Sequence, residues 1–277
     1  MDCKTILVHI DQSDRMLDCI EFAARVANVQ QAHLVGITQT GIAAFIRQMS
    51  VPGAELGDLT PLFEQLRDDA QQRAAQFDAL VRQAGVASFE HRVGDDDPGN
   101  ALATQAMYAD LVIVSQRDPA HHQAEASVTD YVVLNAPCAV MVRPCSGSSA
   151  GAFERVLLAW NASPQAARAV RQALPFLVRA REVEVAILDD DHSGSQRAAA
   201  GGPDLASFLA RHGVSVHIRQ QSTHGDAADT LLALANTLGT ELLVMGCYGH
   251  SRFRELLLGG VSRTILRRMN LPALMAH

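Results

Sequence analysis

The chain has no surplus of basic residues: 23 Lys and Arg stand against 30 Asp and Glu, a formal net charge of −7 over 277 residues. A surface that follows a phosphate backbone concentrates lysine and arginine, so this balance argues against nucleic acid as a partner. Nor is there an uninterrupted apolar run of the roughly 18 residues that a membrane span needs. Met1-Asp2-Cys3-Lys4 passes directly into an apolar segment, without the layout of a signal peptide. No membrane association and a cytoplasmic location are therefore expected. Cys3, Cys19, Cys138, Cys145 and Cys247 are odd in number and follow no spacing, which suits reduced thiols and not a disulfide framework. No closely spaced cysteine pair accompanies His212, His217, His224 and His250, so a zinc site lacks its ligand set, and His212 and His217 read as solvent-facing. Also missing are Gly-x4-Gly-Lys-Ser/Thr and a Ser-Gly-Gly loop. Fast nucleotide hydrolysis has no residue set, and no catalytic constellation emerges. Aromatic residues amount to 5% and hydrophobic residues to 48%, the composition of a soluble globular protein.

What is present is alternation of strand-like and helix-like segments, which implies parallel sheets wound on both faces by right-handed crossovers. Strands are expected near 4–10, 33–38, 88–93, 110–115 and 139–143, with helices near 13–28, 60–84, 98–107 and 127–135. Leu62, Leu66, Ala70, Ala74, Phe77, Val81 and Ala84 mark the apolar stripe of the second of these helices. Residues 40–59 read as a loop with a short helix around Ile42 to Met49. Further strands are expected near 154–160, 182–188, 214–221, 241–246 and 272–276, with helices near 164–179, 203–212, 226–238 and 260–269. Ser193-Gly194-Ser195 and Gly201-Gly202-Pro203 predict a mobile segment ahead of the short helix at 203–212. Met107, Met141, Met245, Met269 and Met275 read as apolar-position residues, and Trp160 as a core residue at a strand end.

The chain is a duplication. Thr5-Ile6-Leu7-Val8-His9-Ile10-Asp11-Gln12-Ser13 aligns with Arg155-Val156-Leu157-Leu158-Ala159-Trp160-Asn161-Ala162-Ser163, and Ala109–Val114 aligns with Thr240–Met245. Residues 1–144 and 153–277 form the two domains, joined across the Gly/Ser-rich stretch 145–152, which reads as a flexible linker. The expected fold is two doubly wound, Rossmann-like parallel-sheet domains in tandem, packed about a pseudo-twofold. Val140-Met141-Val142 and Ala273-Leu274-Met275 should pair, because each would otherwise leave an apolar sheet edge in water.

The richest motif follows Glu241-Leu242-Leu243-Val244-Met245. It runs Gly246-Cys247-Tyr248-Gly249, then nine residues to Gly259, then Gly260-Val261-Ser262 at the start of a helix. Glycines let successive amides approach one anion, and a helix start adds unpaired N–H groups and a positive dipole end. The alternative is a strand–turn–helix junction whose glycines serve geometry alone. The spacing Gly-x2-Gly-x9-Gly, the small polar residue after it and the closing strand resemble the universal stress protein family over both halves. The resemblance implies a site for ATP or another adenine nucleotide, with magnesium as its companion ion. Asn161, Ala162 and Ser163 lie on the adenosine side, Ile187 meets adenine through its backbone, and Met245, Gly246, Gly249, His250, Gly259, Gly260, Val261 and Ser262 surround ribose and phosphates. Two positions depart from the family's ATP-binding pattern: Asn161 replaces an aspartate, and Gly260 brings no hydroxyl. His250, with Arg252 and Arg254, is either a positive cluster for phosphate or a solvated turn.

In the first copy the loop reads Ser115-Gln116-Arg117-Asp118, without either glycine, and only Asp11 keeps its adenosine-side place. A carboxylate near phosphates repels them, by about 4 kcal/mol at 4 Å and an effective dielectric of 20. The first copy is therefore expected to be a scaffold half. The reading is of a stress-response protein whose second domain binds an adenine nucleotide as a sensor or adaptor, with unidentified protein partners, as a monomer of tandem domains or a homodimer. A slow ATPase and a nucleotide-free chaperone-like or small-molecule-binding module are the alternatives.

Overall fold

The computed structural model describes residues 2–49, 58–117, 128–146, 151–189, 193–223, 225–247 and 260–277. The first half contains β1 (Thr5–Ile10), α1 (Met16–Gln30), β2 (His33–Gln39), α2 (Ile42–Met49), α3 (Thr60–Gln83), β3 (Phe89–Gly94), α4 (Pro98–Gln105), β4 (Leu111–Ser115), α5 (Val128–Asn135) and β5 (Ala139–Arg143). The second contains β6 (Arg155–Ala159), α6 (Pro164–Leu177), β7 (Glu182–Asp189), α7 (Ser193–Arg211), β8 (His217–Ser222), α8 (Ala227–Leu238), β9 (Leu242–Gly246), α9 (Val261–Arg268) and β10 (Ala273–Ala276).

All strands join one sheet in the order β3-β2-β1-β4-β5-β10-β9-β6-β7-β8. The order is a palindrome about β5 and β10. Every pairing is parallel except that seam, where Val142 faces Ala273, Met141 faces Leu274 and Val140 faces Met275 in antiparallel register. The pairing foreseen from the two apolar strands is thus made, and it turns two edges into a continuous sheet. The remaining edges are polar and exposed: Glu90, His91 and Arg92 on β3, and His217, Arg219 and Gln220 on β8.

Both faces of the sheet are covered, and each core runs across the seam. On one face Phe22 of α1, Phe153 and Phe176 of α6 form a chain of rings with centroids 6.4 and 5.9 Å apart. Such pairs add about 0.5–1.5 kcal/mol each beyond area burial. The duplication also shows at the amino ends of the strands. Asp110 accepts the N–H groups of Lys4 and Thr5 at 2.8 and 2.9 Å. Glu241, the aligned counterpart of Asp110, accepts those of Glu154 and Arg155 at 2.6 and 3.4 Å.

Most element positions fall within a few residues of expectation, and the exceptions are informative. The segment expected to be mobile belongs to α7, which begins at Ser193 and continues through Pro203 to Arg211. Packing overrides local propensity here: buried Leu205 and Leu209 anchor the helix. A Cβ on Gly202 would already lie 3.2 Å from Ile187 and 3.3 Å from Ile218, so glycine is what lets α7 lie close on the sheet. Met107 is corrected as well. It sits on the 3-10 turn Ala106–Tyr108 and is 67% exposed, because that turn points away from the sheet. The stretch read as a flexible linker is held at its described ends: Cys145 N–H donates to Gln116 Oε1 at 2.8 Å, and Gly151 is buried.

Candidate functional site

In a sheet of this kind, ligands bind beyond the carboxyl ends of the strands where strand order reverses. In the second half that place lies between β6, β7 and β9. Asn161 leaves β6 exposed, and its Oδ1 accepts the N–H of Ser163 at 3.2 Å. Ala162 between them has φ 56°, a left-handed conformation that makes the chain turn sharply into α6. Ser163 then caps α6, its Oγ accepting from Ala166 N–H at 3.1 Å.

Gly246 ends β9 against this turn. A Cβ there would lie 2.3 Å from the Ala166 nitrogen and 2.6 Å from the Gln165 carbonyl carbon, both backbone atoms. Glycine is thus required for β9 and the first turn of α6 to meet. Across the sheet, α9 begins at Gly260, which brings no capping side chain, in contrast to Ser163 on α6. Val261 is half-buried. Ser262 is buried at 3% exposure and Met245 at 4%, so neither side chain lines an open crevice. Gly249, His250 and Gly259 lie outside the described residues, as do Arg252 and Arg254.

The edge of β7 carries a feature that sequence reading placed one residue away. Ala159 and Ala186 are the last registered pair of β6 and β7, closed by Trp160 N–H to Ala186 O at 2.9 Å. Peptide groups in a parallel strand alternate between neighbours, so Ile187 turns its N–H and C=O toward β8, where it is registered with Gln220. The expectation that Ile187 offers its backbone is corrected accordingly. Leu188 directs both groups past the end of β6, level with Asn161, and no backbone hydrogen bond among the described residues fills that edge. Composition could not reveal this parity; only the register of the preceding pairs fixes it. Trp160 packs against the core as expected, yet its Nε1 is buried without a partner, beneath Gly201 of α7.

The first half has the same backbone and different occupants. By register Gln39 is the counterpart of Leu188, and its carbonyl already accepts Arg73 Nη2 at 2.9 Å. Gln116 stands where the second half has Cys247. It is 7% exposed, its Nε2 donates to Leu266 O of α9 at 3.0 Å, and its Oε1 takes the Cys145 N–H. The degenerate loop thus begins as a brace between halves. Cys247 is 1% exposed, a small packed residue as expected, and Asp118 lies outside the described residues.

Burial pushes the thiols of Cys3, Cys19 and Cys138 up to about 12, which keeps them protonated. His212 and His217 are exposed, as anticipated, and the His212 ring meets that of Phe208 at a tilt of 59°, with centroids 4.8 Å apart. Among the described residues no group of three His, Cys, Asp or Glu side chains is placed to hold a metal ion. No helix among them is long and apolar enough to cross a membrane.

Comparison with known proteins agrees with this architecture. A universal stress protein from Archaeoglobus fulgidus DSM 4304 superposes with a TM-score of 0.75 at 16% identity, covering 99% of this chain and 96% of that one. A functionally unknown protein from Pseudomonas aeruginosa PAO1 gives 0.57 at 17% identity, covering 99% and 92%. The universal stress protein from Archaeoglobus fulgidus in complex with dAMP covers 51% of this chain and 98% of its own, at 18% identity and a TM-score of 0.36. No curated protein matches the chain in sequence. The model of the universal stress protein family matches twice, over residues 3–144 and 152–277, and the chain belongs to that family.

Proposed function

We propose that the second half binds an adenine nucleotide, ATP in the first instance, and that the protein serves in the cytoplasm as a stress-response sensor or adaptor and not as a fast catalyst. The observation that carries this reading is the open peptide edge of Leu188 beside Asn161. One N–H and one C=O side by side match the acceptor and donor on the edge of an adenine, and the Asn161 amide suits a ribose hydroxyl or base nitrogen. Phosphates would be taken by the amides of Gly260 and Val261 at the start of α9 and by the glycine loop, since Ser262 is buried. Magnesium would accompany the phosphates through their own oxygens. The two halves act as domains 1–144 and 153–277, with the nucleotide confined to the second.

The test is ATP-dependent melting. At 100 times its dissociation constant, a ligand of the folded state adds about 2.7 kcal/mol of stability, a rise of a few degrees. Gly249→Asp, which brings a carboxylate into the glycine loop, is expected to erase the rise. An unshifted wild type would remove nucleotide binding from the reading, and a shift surviving Gly249→Asp would move it away from this loop.

A further inference from the structure

At the carboxyl ends of β1 and β2 the first half holds a cleft of 280 Å³ between the β1–α1 turn and α3. It offers room for about nine waters. Its walls combine three charged side chains with two apolar ones. Asp11 follows β1; its Oδ1 accepts both the N–H and the Oγ–H of Ser13, at 3.0 and 2.7 Å, while Oδ2 receives no hydrogen bond from the described residues. Asp69 and Arg73 share one face of α3 at a spacing of four residues. Arg73 is fixed by its bond to the Gln39 carbonyl, and its Nε is buried without a partner. Its charge lies within the field of both Asp69 and Asp11, yet no ion pair joins it to either. Met16 and Leu66 supply the apolar wall. Beneath α3, Thr38 is fully buried on the β2 face that also carries Gly36 against Phe77, and its Oγ1 has no partner.

Buried polar atoms are normally satisfied, so the unpartnered Nε of Arg73, on the wall of the cleft, asks for an outside partner. The cleft is not a second copy of the nucleotide site. Arg73 already occupies the peptide edge that Leu188 leaves open, Gln116 replaces the loop, and two carboxylates would repel phosphate. Two anions, one cation and an aliphatic strip are the complement of a molecule with two cations, one carboxylate and a methylene stem. We propose that this cleft binds a free basic amino acid of the lysine, ornithine or arginine type. The α-carboxylate takes the open N–H groups of Arg73, the two cationic groups take Asp11 Oδ2 and Asp69, and the stem lies on Met16 and Leu66.

Titration calorimetry on the full chain with L-lysine, L-ornithine and L-arginine tests it, with L-norleucine, putrescine and adenosine as comparisons. One saturating site for a basic amino acid is expected. Norleucine, which lacks the side-chain cation, and putrescine, which lacks the carboxylate, should each bind at least about tenfold more weakly. Asp69→Asn and Arg73→Gln should weaken lysine binding by a similar factor. Asp69 is exposed, so its variant should fold normally and keep the ATP response of the second half, separating this proposal from the previous one. No saturable binding of any basic amino acid at millimolar concentration would overturn it. So would affinities unchanged by both substitutions, or adenosine outcompeting lysine in the cleft.

Discussion

The two halves share strand order, crossover helices and the seam that joins them, and they part company at the carboxyl edge of the sheet. In the second half no backbone hydrogen bond among the described residues fills that edge at Leu188, and α9 begins without a capping side chain. In the first half the corresponding groups are consumed internally, by Arg73 on the Gln39 carbonyl and by Gln116 reaching to Leu266 and Cys145. At the opposite, amino edge the halves remain alike, with Asp110 and Glu241 each accepting two backbone N–H groups. The lesson is that one parallel-sheet frame serves either as an open edge or as a brace, depending on a few side chains that fill or spare its peptide groups.

The sharpest way to break the comparison is at the Gly246 and Ser115 pair, which end β9 and β4. Gly246→Val would drive a side chain into the backbone at Ala166, and urea unfolding should show a loss of about 2–4 kcal/mol. Ser115→Gly, at the aligned place, should stay within about 1 kcal/mol. A mild Gly246→Val would mean that α6 can shift away from β9. Next comes the brace: Gln116→Leu leaves the Leu266 carbonyl and the Cys145 N–H without their partner, an expected loss of about 1–3 kcal/mol in the same assay. Cys247→Ala, at the aligned place, should cost less, because its Sγ contact to Val133 O is 3.9 Å long.

The shared edge should respond evenly. Asp110→Ala and Glu241→Ala each remove an exposed or half-exposed carboxylate from two N–H groups, and about 1 kcal/mol each is expected. Strongly unequal losses would show that the amino edges are not equivalent. The smallest effect is pH-dependent. Burial holds the His9 imidazole below its ordinary 6.5, with Arg73 adding to that depression and Asp11 opposing it. The unfolded chain therefore takes up a proton more readily than the folded one. This contribution is fully present above pH 6.5 and is lost as pH falls from there toward the folded value. Melting measured from neutral to mildly acidic pH should show the decline, and His9→Leu should flatten that part of it. The second half has Ala159 at this place, so its own substitutions should leave the slope unchanged.

Hydrophobic runs, glycine spacing and the repeat of one motif at two places were enough to determine the alternation of strands and helices, the duplication and the seam between β5 and β10. These are local or self-similar signals: an apolar strand flanked by turn residues reads the same wherever it packs. Three things needed the tertiary structure. The course of α7 through Gly201-Gly202-Pro203 depends on how closely Ile187 and Ile218 approach it. The choice of Leu188 over Ile187 depends on which residue of β6 pairs last with β7. The roles of Gln116 and Arg73 depend on partners 150 and 34 residues away. Each is a matter of register or of contact between distant segments, and a single chain of letters carries no coordinate for either until the sheet is assembled.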